Sequence, residues 1–66
     1  MKQRNDIFIG DTVEFSYRNN PTIQLTGHIV KILNNTIIVD ISKIATKYNI
    51  VELRQVVKHG NYHKVA

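Results

Sequence analysis

The chain has 66 residues, no Cys, and a formal net charge of +4 at pH 7 with histidines neutral. A chain this short buries only about 60% of its unfolded surface, so it makes one domain over 1–66 with a thin stability margin. The composition excludes a disulfide framework or a thiolate metal site, and no apolar run approaches the roughly 20 residues that span a bilayer.

Residues 1–6 are polar and read as a frayed start, with the ordered domain expected over 7–65. The basic start meets only Ile7 to Ile9 as an apolar stretch, too short for a signal peptide. With no Cys in use, the expected compartment is the cytoplasm. Asn34-Asn35-Thr36 matches a glycosylation sequon, but without a secretion signal it reads as turn chemistry.

Gly10-Asp11 is a turn signal. After it, Val13, Phe15 and Tyr17 alternate with Thr12, Glu14, Ser16 and Arg18, which predicts a half-buried strand. Asn19-Asn20-Pro21-Thr22 breaks it, because Pro lacks an N–H and Asn favours turns. Ile23-Gln24-Leu25 resumes extended character.

Gly27 to Ile41 is the strongest local signal: two β-branched runs flank Asn34-Asn35, a pair that tolerates the positive φ of a tight hairpin turn. Centring the turn there pairs Ile32 with Ile37, Val30 with Val39 and His28 with Ile41 on the natural core face. The other face carries Leu33 with Thr36, Lys31 with Ile38 and Ile29 with Asp40. That second face must be partly covered, or a bulge must turn Ile29 inward.

Between residues 42 and 49, Ile41, Ile44, Ala45 and Tyr48 have helical spacing. Ser42 is a candidate cap and Asn49 a candidate terminator of a short helical turn. An irregular crossover is the alternative. Leu53 to Lys58 is extended, His59-Gly60-Asn61 is a tight turn, and Tyr62 to Val65 is a last short strand. Five short strands and no long helix predict an all-β, five-stranded SH3-like barrel, since closure removes exposed edges.

Charge is unevenly placed. Residues 1–40 balance Lys2, Arg4, Arg18 and Lys31 against Asp6, Asp11, Glu14 and Asp40. Residues 41–66 carry Lys43, Lys47, Arg54, Lys58 and Lys64 against Glu52 alone. Such asymmetry points to an anionic partner, although any single lysine is more often a solvated surface charge. An RNA surface needs cations for phosphates and aromatic faces for bases. The candidates are Arg18, Lys47, Arg54, Lys58 and Lys64 for phosphates, with Tyr48 or His63 to stack. Phe15, Tyr17 and Tyr62 fit a core pattern better than a stacking one. A second reading is a protein-interaction or self-association patch made of Ile29, Leu33 and Ile38.

No catalytic constellation is present: Ser16 and Ser42 have no base beside them, and the five acids are scattered. The expectation is a non-enzyme without cofactor. His59 and His63 are four apart, but Gly60-Asn61 between them argues against a helix, so no metal site is predicted.

Gly10-Asp11-Thr12-Val13 followed by Gly27-His28-Ile29-Val30-Lys31-Ile32 resembles the KOW motif of small SH3-like barrels in ribosomal proteins and elongation factors. The resemblance implies contact with RNA or protein. Its Gly-x-Ile-x-x-Ile spacing also implies a bulge in the strand. With Val56-Val57-Lys58-His59-Gly60-Asn61-Tyr62 added, most of 10–65 is similar to the YkvS-like proteins of Gram-positive bacteria, a family that supplies no catalytic residues.

Overall fold

The computed structural model describes residues 7–65, so residues 1–6, expected to fray, lie outside the described residues. Five strands form in chain order: β1 (Thr12–Tyr17), β2 (Asn20–Ile32), β3 (Thr36–Asp40), β4 (Arg54–Lys58) and β5 (Tyr62–Lys64). Helix α1 (Ser42–Ala45) and a 3-10 turn (Thr46–Tyr48) separate β3 from β4. The strands make one antiparallel sheet in the order β4-β3-β2-β1-β5.

The 13-residue β2 lets so small a sheet enclose a core. Its first part pairs with β1, its last part with β3, and His28 pairs with both. The two half-sheets share one apolar cluster: Val13 and Phe15 from β1, Leu25 and Ile29 from β2, Ile37 and Val39 from β3, and Val57 from β4. Ile41, Ala45 and Ile50 join it from the connection. Leu25, Ile29, Ile37, Ile41, Val13 and Val39 are the largest fully buried side chains. Each is worth roughly 1.5–3 kcal/mol relative to an exposed position.

The five-stranded all-β architecture and the short helical segment agree with the sequence reading. Closure does not. β4 and β5 share no ladder, so the sheet stays open between them. β5 is three residues long and pairs only with β1, Tyr62 opposite Phe15 and Lys64 opposite Val13.

Three local expectations are corrected. First, the hairpin register holds near the turn, with Ile32 opposite Ile37 and Lys31 opposite Ile38, then shifts at a bulge between Ile29 and Lys31. The shift seats Ile29, 1% exposed, in the core opposite Val39, and leaves Val30 half-buried. This is the bulge that the Gly-x-Ile-x-x-Ile spacing implies. It removes Ile29 from the proposed outer patch.

Second, Asn34 and Asn35 do not adopt positive φ; among the described residues Asn49, at φ 58°, is the non-glycine that does. In a two-residue primed turn the Leu33 carbonyl would receive the Thr36 N–H. Here it accepts the His59 imidazole Nε2–H at 2.9 Å, while the Leu33 N–H donates to the Thr36 carbonyl at 2.8 Å.

Third, Ser42 does not cap the helix. Asp40 Oδ1 accepts the Ser42 N–H at 2.8 Å, so the acid that ends β3 also starts the helix. Asn49 does terminate the segment, in the left-handed conformation. The β1–β2 turn is also tighter than expected. Tyr17 pairs with Asn20, and the irregularity falls next to Pro21, which has no N–H for the ladder.

Candidate binding seam between β4 and β5

The two outer strands of an open sheet each carry a row of unpaired backbone groups. The β4 edge borders a cleft of about 730 Å³ that runs across to β5 and β1. Gln55, Val56, Val57 and Lys58 of β4 form one wall. Tyr62 and His63 of β5 and Glu14 to Ser16 of β1 form the other. Gly60 and Asn61 close one end, and Arg18 and Gln24 also line it.

Alternation along β4 decides what each wall presents. Arg54, Val56 and Lys58 are exposed, while Gln55 and Val57 are buried. Gln55 is the one polar residue among the buried described residues, at 9% exposure. Its Nε2 donates to the Glu52 carbonyl at 2.9 Å, which fixes the amide at the cleft wall. Across the cleft the Gln24 amide donates to Ser16 Oγ at 2.9 Å.

His59 sets the shape of the seam's end. Its backbone N–H donates to the Asn35 carbonyl at 3.1 Å, and Nε2 must carry hydrogen to donate to the Leu33 carbonyl. Nδ1 is then the acceptor for the Tyr62 hydroxyl at 2.7 Å. One imidazole thus ties the β2–β3 turn to the β4–β5 turn and to β5. Gly60, at φ 94°, supplies the left-handed conformation that the β4–β5 turn requires.

The sequence candidates separate into groups. Arg18, Lys58 and His63 line the cleft. His63 faces the cleft's one acid, Glu14, at 3.0 Å. Lys64 lies beside Asp11 at 3.4 Å, and that carboxylate also accepts the Phe8 N–H at 2.9 Å. Arg54 sits at the start of β4, cross-strand from Asp40. Lys47 and Tyr48 stand on the 3-10 turn and do not line the cleft. The Lys47 ammonium lies 5.7 Å from the Tyr48 ring centroid, and that ring packs partly buried against the core, which argues against Tyr48 as an open stacking platform.

In the alternative patch, Leu33 is 40% exposed and Ile38 half-buried, beside Val56 at 59%. With Ile29 inside, the outer apolar row runs through Ile38 to Val56 instead.

Sequence reasoning missed Gln55, although its signal was present. A Gln on the same parity as Val57, on a strand whose other parity is Arg, Val and Lys, is a polar residue at a core position. His59 reads from the sequence as a simple turn histidine, because its partners Leu33 and Asn35 are far off along the chain.

Among the described residues, no three His, Cys, Asp or Glu side chains are placed to hold a metal ion. Among the same residues, no helix is long and apolar enough to cross a membrane.

Fold and seam together define a small, five-stranded all-β unit with a basic-rimmed opening between its edge strands. The chain belongs to the family described as "Uncharacterized protein conserved in bacteria (DUF2187)", whose model matches residues 8–65. No curated protein and no solved structure matches it.

Proposed function

We propose that this protein is a non-enzymatic binding module of the bacterial cytoplasm that holds an extended anionic partner along the β4–β5 seam. One observation carries the reading: Arg18 and Lys58, neither in an ion pair among the described residues, stand with His63 around an opening bordered by an unpaired strand edge. The excess of positive charge in residues 41–66 supports the sign of the partner. The KOW-like and YkvS-like pattern supports RNA as one such partner. The unpaired β4 edge favours a second, an acidic polypeptide.

The reading is tested by amide NMR titration with oligouridine RNA and, separately, with polyglutamate. Shifts are expected at residues 14–18, 24 and 55–63. For two or three phosphates, RNA affinity falls about tenfold between about 50 and 200 mM salt. Arg18→Ala with Lys58→Ala abolishes most of the response, whereas Lys43→Ala, on α1, leaves it intact. No seam shifts from either polyanion would sink the proposal.

A further inference from the structure

The β4 edge has a pattern that specifies its partner more narrowly than charge alone. Outward along β4 stand Arg54, Val56 and Lys58; inward stand Gln55 and Val57. On the β3 side their cross-strand neighbours are Asp40, Ile38 and Thr36. Among the described residues no strand pairs with the other side, where the Lys58 carbonyl accepts the Asn61 N–H at 3.0 Å and Val56 lines the cleft. Residues directly opposite in a sheet interact as pairs, opposite charges and apolar pairs favourably and like charges unfavourably. A strand added to this edge therefore wants acid opposite Arg54, an apolar residue opposite Val56 and acid opposite Lys58. The sequence acid-x-apolar-x-acid is the same read in either direction, so it fits parallel or antiparallel addition. The intervening residues point into the cleft, towards Phe15 and Tyr62.

A second copy of β4 does not fit. Antiparallel pairing about Val56 sets Arg54 against Lys58 of the copy, and parallel pairing sets each cation against itself. Like charges face each other either way. Stacking of bases is poorly served, because Phe15 is buried at 4% exposure and the Tyr62 hydroxyl is held by His59.

We infer that the seam is a strand-addition site, and that the partner is an extended acidic polypeptide segment of pattern acid-x-apolar-x-acid, hydrogen-bonded to the free edge of β4. This rests on the seam being the site of an extended anionic partner, and it names that partner's class. Backbone pairing over five residues, about 17 Å of strand, supplies affinity. Arg54, Val56 and Lys58 supply the selection. Glu14, the one acid among the described residues lining the cleft, lies 3.0 Å from the His63 imidazole and stands on the far wall.

The test uses the full chain and five seven-residue peptides. One is Ser-Glu-Thr-Val-Thr-Glu-Ser, and one has the same composition scrambled to Ser-Thr-Glu-Glu-Val-Thr-Ser. Two are N-methylated forms of the first, each blocking one alternate set of amides. Binding is followed by amide shifts, and pairing by hydrogen exchange over 54–58. The patterned peptide is expected to slow exchange at alternate β4 amides. The N-methylated form that blocks the paired set loses about tenfold or more in affinity, as two or three hydrogen bonds go, and the other form does not. Lys58→Glu weakens the acidic peptide about fivefold, and a fifth peptide with one of its two glutamates replaced by lysine restores binding, that lysine facing residue 58 and the remaining glutamate facing Arg54.

Equal binding by both N-methylated forms, or by the scrambled peptide, overturns the inference. Oligouridine shifting the seam while no peptide does so also overturns it, yet leaves the anionic seam standing. Silence from every probe removes both.

Discussion

At the scale of single residues, two glycines separate two kinds of constraint. A Cβ on Gly27 would lie 2.4 Å from the Asp40 carbonyl oxygen and 2.7 Å from Val39 Cγ1. The neighbouring strand backbone cannot yield, so Gly27→Ala is expected to cost roughly 1–3 kcal/mol or to prevent folding. Gly60 has open space around it and only its φ of 94° to defend. Gly60→Ala should cost about 1–2 kcal/mol. Gly60→Asn should cost less, because Asn tolerates the left-handed region. Urea unfolding of the three variants gives the order, and a Gly27→Ala protein as stable as Gly60→Asn would contradict the close approach. His59→Ala is a third case. It removes the bonds to the Leu33 carbonyl and the Tyr62 hydroxyl, an expected loss of about 1–2 kcal/mol. Tyr62→Phe removes only the second bond and should cost less in the same measurement.

At the scale of elements, the β3–α1 junction responds to acid. The Ser42 backbone N–H, then its hydroxyl, hold the Asp40 carboxyl below its ordinary value of 3.8, with Arg54 and His28 adding to the effect and desolvation opposing it. A carboxylate depressed in the folded state contributes stability above its unfolded pKa. That contribution is lost as pH falls through the lower folded value. Asp40→Asn should therefore flatten the acid limb of a stability profile taken from about pH 6 to pH 2 and leave its slope near neutrality unchanged. Thermal melts across that range decide it.

The elements also divide into those written locally and those that are not. Val13 and Phe15 in β1, the glycine turns at 10 and 60 and the stop at Asn49 were legible, because each depends on near neighbours. The bulge at Val30 was visible only as a conflict between two spacings, and the burial of Ile29 resolved it. The helix start was misread because Asp40, counted as a strand residue on the outer face, has a second role one step later. The seam was not legible at all. It depends on which strands end up last in the sheet, and Arg18, Lys58 and His63 meet only because β1 and β5 pair across the whole chain.

At the scale of the molecule, one cluster holds both half-sheets together. Stability for a chain of this length is expected at about 3–10 kcal/mol in total. Leu25→Ala, at a fully buried β2 position, should remove about 2–5 kcal/mol of that. The variant is expected to unfold early and in a single transition. Loss of β1–β2 protection while β3–β4 stays protected would instead show that the half-sheets are stable separately.

The pairing of β5 with β1 has a consequence in time. Thr12 receives the Val65 N–H at 2.9 Å, and Val13 waits for Lys64, while the β1–β2, β2–β3 and β3–β4 contacts need only adjacent segments. Contacts separated by about fifty residues form slowly and late. During synthesis on the ribosome, β1 would remain half-bonded until β5 has emerged. That nascent β1 edge is then the place where a chaperone, or a neighbouring unfinished chain, has its opportunity.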